Sequence, residues 1–218
     1  MTGVTPNKAD QAFIDIERMI VLQELPPGTL VSEKQLMEHT GLGRTPVREA
    51  LQRLARERLV EIHPNRGVLI PVASIEAQLK LLELRRTLEP FAVRLAALRA
   101  SADQRAEARR LADYVRSGPL SVDDFARFLR SAHLLVVSAT GNEFVEVAMA
   151  PLQGLSRRFW FGNLSAPADD LARAANLHHD ILAAIADGDG DAAEAASLAL
   201  NDYLVDFTYA TLPQRQSR

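Results

Sequence analysis

From Ser74 onward the chain contains nothing that reads as a strand. Ala- and Leu-rich stretches with helical spacing follow one another at 74–99, 102–116, 121–140, 142–161, 168–187 and 190–211. They are interrupted only at Ser117-Gly118-Pro119, Gly141, Gly162 to Pro167 and Gly188 to Gly190. Amphipathic helices joined by short breaks bury their apolar faces against one another, which predicts an all-α antiparallel bundle with successive helices as neighbours. Pro90 is a point where the first helix kinks or divides, so the count is six to seven.

The N-terminal third is patterned differently. Residues 1–9 read as a tail. Apolar residues at Phe13, Ile16, Ile20 and Val21 keep helical spacing from Asp10 to about Leu25, where Pro26-Pro27-Gly28 stops the helix. Thr29-Leu30-Val31 has room only for a short extended piece. Ser32 with Gln35 three residues on is a capping-box start for a helix to Thr40. Gly41-Leu42-Gly43 breaks it, and Thr45-Pro46 suits a new start, with the threonine as N-cap. The buried stripe Val47, Leu51, Leu54 carries this third helix to about Arg58. Leu59–Ile62 and Val68–Ile70 then read as two strands around the turn residues Pro64-Asn65-Arg66-Gly67. The expected fold is mostly α: a winged helix-turn-helix with a small β-hairpin over 10–72, a linker at 73–75, a helical domain over 76–212 and a tail at 213–218.

A composition of 47% hydrophobic and 24% charged residues is that of a globular chain, so disorder is not expected. Cysteine is absent, which removes disulfides, thiolate metal sites and cysteine nucleophiles together and suits a reducing cytoplasm. MTGVTPNKAD lacks the apolar run of a signal peptide, and no stretch is apolar enough to span a membrane. The net charge of −3 hides a basic window: from Arg44 to Arg66, six arginines stand against three glutamates. A localised phosphate-contacting surface has this form.

Two short helices around a glycine turn are the helix-turn-helix arrangement, whose second helix enters the major groove of double-stranded DNA. On that helix Arg44, Arg48 and Gln52 recur every four residues and share a face about 100° from the apolar stripe. Arginine can bond O6 and N7 of guanine together. Lys34 and Thr45 are placed for phosphates, and Arg66 at the hairpin tip for the minor groove.

The run Leu42-Gly43-Arg44-Thr45-Pro46-Val47-Arg48-Glu49-Ala50-Leu51-Gln52-Arg53-Leu54 closely resembles the recognition-helix signature of GntR-family bacterial regulators. Leu25 to Glu33 and Pro64 to Gly67 fall where that family has its turn and wing. The resemblance implies a homodimer on an inverted repeat, with Lys34, Arg44, Arg48 and the wing as DNA contacts. Leu82 to Pro90, His133 with Ser138 to Asn142, and His178 to Ile185 resemble the helical FCD-type effector domain of the FadR-like branch. In that branch the bundle commonly binds a small organic acid, often beside a divalent metal held by one aspartate and three histidines.

Two of those ligand positions fall on His133 and His178, the other two on Leu129 and Leu200, with Asn201 adjacent. The sequence therefore assigns no cofactor, and His133 and His178 are only weak metal candidates, as readily hydrogen-bonded bundle histidines. Arg85, His133, His178 and Asn201 are the effector-site candidates, with Arg157 or Arg158 as possible helpers of Arg85 in clamping a carboxylate. Asp187 to Asp191 lacks the glutamate a calcium loop needs and reads as a solvated turn with an aspartate N-cap. In His178-His179-Asp180 adjacent helical residues diverge, which argues against catalysis. Phe159-Trp160-Phe161 reads as core or dimer packing.

Three functions remain open. The first is a ligand-responsive homodimeric regulator, in which an effector shifts the population of DNA-competent dimers. The others are a metal-assisted hydrolase with a DNA-binding head, and a DNA-binding protein whose bundle only dimerises.

Overall fold

A computed structural model describes residues 7–212; the tail at 213–218 and the first six residues of the expected N-terminal tail lie outside the described residues. The fold class is the expected one: mostly helix, with a three-stranded antiparallel sheet in the N-terminal part. The chain forms two compact units. One comprises the chain up to Ser74 together with Gly154–Gly162; the other comprises Ile75–Gln153 and the chain from Asn163 on.

In the first unit, α1 (Lys8–Val21) starts two residues before the expected position, because Asn7 is its N-cap and accepts from the Asp10 amide at 2.9 Å. It also ends earlier, at Val21, where Gln23 takes a left-handed φ of 60° ahead of the proline pair. Ala12, Phe13, Ile16 and Ile20 are buried against Val47, Leu51 and Leu54 of α3 (Arg44–Arg56) and Leu36 of α2 (Glu33–Thr40). The Ser32–Gln35 capping box opens α2, and Gly41 closes it at φ 66°.

The start of α3 corrects the sequence reading. Gly43, not Thr45, is the N-cap, and the helix begins at Arg44. Thr45 and Pro46 thus occupy the first turn, where the missing proline N–H leaves no intrahelical acceptor unbonded. The shift places Arg44 on the helix rather than ahead of it.

The hairpin consists of β2 (Glu61–His63) and β3 (Gly67–Leu69), and β1 (Leu30–Val31) adds a third strand, giving the order β1-β3-β2. Leu30 pairs with Leu69 and Val31 with Val68. The short extended piece is therefore a sheet edge, held also by Gly28 N–H to Ile70 carbonyl at 2.7 Å. Asn65 (φ 61°) and Gly67 (φ 119°) make the wing turn, and a Cβ on Gly67 would lie 2.8 Å from the Val31 carbonyl oxygen.

The second unit holds α4 (Ile75–Arg99), α5 (Ala102–Arg116), α6 (Val122–Ala139), the first half of α7 (Glu143–Gly162), α8 (Pro167–Asp187) and α9 (Gly190–Ala210). Helix α4 runs unbroken through Pro90, so the proline neither divides it nor raises the helix count. The packing is nested rather than sequential. Helix α4 lies chiefly on α9 and α5 on α8, so the expectation that successive helices are neighbours fails for α4 and α5. Buried alanines along these helices (Ala92, Ala96, Ala97, Ala108, Ala112, Ala184, Ala193) allow close approach. The α8–α9 turn is the expected solvated one: Gly188 caps α8 at φ 76°, and Asp189 caps α9 by accepting from the Ala192 amide at 2.9 Å.

Candidate functional site

The N-terminal unit gathers the DNA-reading candidates on one side of α3. Arg44, Thr45, Arg48 and Gln52 are exposed along it, while Val47, Ala50, Leu51 and Leu54 are buried. Lys34 is exposed in the first turn of α2 and lies 3.7 Å from Glu38. Arg66 is exposed at the wing tip, its amide donating to the His63 carbonyl. Not every arginine of the basic window belongs to this surface. Arg53 turns the other way, pairing with Asp10 at 2.6 Å and stacking over Phe13 at 4.3 Å, so it fastens α3 to α1.

One residue of this site is invisible in the sequence pattern. Glu33, at the start of α2, accepts from Arg48 Nε at 2.9 and 3.0 Å and lies 3.5 Å from Arg44 Nε. A single carboxylate thus braces two neighbouring guanidinium groups, each still more than half exposed. The carboxylate holds them at a fixed spacing on the first two turns of the helix. That arrangement suits a duplex edge and the phosphates beside it.

In the helical unit the effector candidates occupy different settings. Arg85 is buried and already grips a carboxylate: Nε and Nη2 donate to Glu89 at 2.7 and 2.8 Å, and Gln153 Nε2 donates to the same carboxylate at 2.8 Å. Asn201 is buried on α9 with Nδ2 donating to the Leu82 carbonyl at 3.2 Å, while its Oδ1 and the hydroxyl of buried Ser197 have no partner among the described residues. Ser197 and Asn201 lie one turn apart and so share a face of α9. Sequence reading missed Glu89, Gln153 and Ser197; only the Arg85–Glu89 spacing of four hinted at a pair.

His178 packs edge-on against Phe125 and Phe128 at centroid distances of 6.3 and 6.2 Å. Its Nδ1 lies 2.9 Å from the Ala174 carbonyl, so Nδ1–H donates and Nε2 is the acceptor of a neutral ring. Burial pushes its pKa down to about 4, against opposing effects from the Ala174 carbonyl and Glu89, and Arg85 lowers it further. His179 diverges from it and meets Asp180 at 3.0 Å. His133 is half-buried on α6. Leu129 and Leu200, at the other two ligand positions, are buried core residues. Among the described residues no three His, Asp or Glu side chains gather to hold a metal ion.

Of the two helper arginines, Arg157 is committed to Glu17 at 2.6 Å, both side chains being nearly buried, whereas Arg158 is buried with Nε and Nη1 lacking a partner among the described residues. Phe159, Trp160 and Phe161 are buried, the last two in edge contact at 5.0 Å. No helix among the described residues is long and apolar enough to cross a membrane.

Residues 8–70 match the bacterial regulatory proteins of the gntR family, and residues 80–202 match the FCD domain. An uncharacterised HTH-type transcriptional regulator of Streptomyces ambofaciens is 31% identical over 204 residues, covering 89% of this chain and 82% of the relative. A galactonate operon transcriptional repressor of Escherichia coli is 24% identical over 221 residues, covering 90% and 95%. The solved structure of E. coli McbR/YncC shares the fold, with a TM-score of 0.76 at 20% identity over 96% of this chain and 100% of that one. The two sequence relatives are named as regulators of transcription and both matched families are those of regulators, so the hydrolase alternative falls away. The chain belongs to the GntR family of bacterial transcriptional regulators, with an FCD domain following its DNA-binding domain.

Proposed function

We propose that this regulator binds a palindromic operator as a homodimer in the cytoplasm and answers to a small organic acid. The observation that carries the reading is the α3 face: Arg44, Arg48 and Gln52 stand exposed in register, two of them braced by Glu33. Arg48 and Arg44 read base edges, Lys34 and Thr45 hold the backbone, and Arg66 enters the minor groove. Two copies related by a twofold axis meet an inverted repeat whose half-sites lie about 34 Å apart, one turn of the duplex. An exposed apolar line on α4, Leu84, Phe91 and Leu98, supports pairing of two chains.

The effector reading draws on the polar cluster in the helical unit. An acid competes with Glu89 for the Arg85 fork, and the Ser197 hydroxyl and Asn201 Oδ1 offer unused hydrogen-bonding capacity. His178, neutral at ordinary pH, and half-buried His133 are proposed to contribute polar edges. The galactonate operon repressor, named for an operon of an organic acid, is in keeping with that ligand class. A divalent metal is not part of the proposal, since Leu129 and Leu200 give it no donors.

Genome-wide footprinting with purified protein tests the first half. Protected sites should share an inverted repeat, and Arg48→Ala should lower affinity there by about 1–3 kcal/mol and relax preference at one base pair per half-site. Unchanged affinity and preference would remove Arg48 from base reading. Organic acids screened for release of the bound site test the second half. A complete absence of response would leave the bundle as a dimerisation device.

A further inference from the structure

We propose that Arg158 is the anchor of a bound oxyanion, a carboxylate or phosphate group supplied from outside the chain. Arg158 lies on the part of α7 that packs in the same unit as the DNA-reading helices, so this inference is independent of any effector held by the Arg85 cluster. It is 6% exposed, and both Nε and Nη1 are buried with no hydrogen-bond partner among the described residues. Burial alone acts on it, lowering its pKa from the usual arginine range, with no carboxylate opposing.

A guanidinium stays protonated at any pH the fold survives, so it cannot escape this cost by losing its charge, as a lysine or histidine would. Two other arginines shielded from water, one buried and one nearly so, show how the protein treats such groups. Arg85 is forked onto Glu89, and Arg157, the next residue along α7, holds Glu17. Each has a glutamate of its own, whereas Arg158 has none among the described residues. Water can accept a hydrogen bond from the guanidinium but brings no counter-charge. The group that completes the pattern has the two-oxygen edge of a carboxylate or phosphate, which meets Nη2 together with one of the two unpartnered nitrogens. Held there, it neutralises a buried charge of the DNA-reading unit that the described residues leave uncompensated, so the unit's stability becomes linked to anion concentration.

The test is thermal unfolding of the full chain in chloride buffer at constant ionic strength, with acetate in one arm and inorganic phosphate in the other. Wild type should gain a saturable stabilisation of roughly 5–11 °C at a hundredfold excess over Kd. The arm that saturates at lower concentration identifies the anion class. Arg158→Met should lose this response and, without oxyanion, melt no lower than wild type, because an uncompensated charge has been removed. Wild type unmoved by either anion, or Arg158→Met still responding, would overturn the proposal. Should Arg158→Met fail to fold, the Arg158 Nε–H resonance of wild type decides: it shifts on titration if the anion binds there, and an unmoved resonance rejects the site.

Discussion

His178 turns burial into a pH dependence. Its folded pKa of about 4 lies below the unperturbed value of 6.5, so the fold favours the neutral ring. Between those values the unfolded chain binds the extra proton, and stability therefore rises with pH across that window. The contribution is fully present above about pH 6.5 and is lost as pH falls toward 4, amounting at most to about 3 kcal/mol. Denaturant unfolding of wild type and His178→Gln at pH 4.5 and 7.5 isolates it from the titration of other groups. The gap between the two pH values should narrow in the variant, and an identical gap would show that His178 titrates normally in the fold. Its position was visible in the sequence, whereas its neutrality follows from Phe125 and Phe128, brought from another helix. Glu33 was hidden for the same reason. It sits next to Lys34 in sequence, and only the crossing of α2 and α3 delivers it to Arg44 and Arg48.

Helices were far more legible than their partners. The capping boxes at Ser32–Gln35 and Ser101–Gln104 and the left-handed glycines Gly41 and Gly188 are local devices, written within a few residues of the ends they make. The start of α3 misled because a proline fits several first-turn positions equally well, and Gly43 took the cap without a side chain. Strand β1 was under-read because two residues carry no period, and its pairing with β3 closes a loop of more than thirty residues. Gly67 is where that pairing can be tested. Its φ of 119° and the 2.8 Å approach of the Val31 carbonyl leave no room for a side chain. Gly67→Ala should cost about 2 kcal/mol or more and displace the wing, lowering DNA affinity beyond the loss in stability. Unfolding and gel-shift titrations on the same preparation check both effects, and a variant as stable as wild type would mean that the wing turn relaxes freely.

For the whole molecule, the proposed homodimer needs a surface on which two chains can meet. Leu84, Phe91 and Leu98 recur every seven residues along α4 and are 50%, 49% and 58% exposed. A spacing of seven returns to the same helix face within about 20°, so the three make one continuous apolar line. Ion pairs of Arg86 with Asp202 and of Arg94 with Asp191 and Glu194 lie beside it, giving the apolar centre and polar rim of an association surface. Within the single chain about half of each of these side chains faces water, so the line adds little to stability. Changing it should therefore leave the fold intact and affect only association. Leu84→Glu with Phe91→Glu would set like charges against each other across a twofold axis, where every substituted residue meets its own copy or a neighbour of it. Light scattering should then report one chain per particle where wild type reports two, with an unchanged unfolding midpoint. DNA binding separates the scales: affinity for an isolated half-site should persist, since α3 is untouched, while the advantage of the full inverted repeat, 10²-fold or more by linked binding, should vanish. A double variant that stays dimeric would move the interface elsewhere on the chain, and one that loses half-site binding as well would show that reading depends on pairing itself.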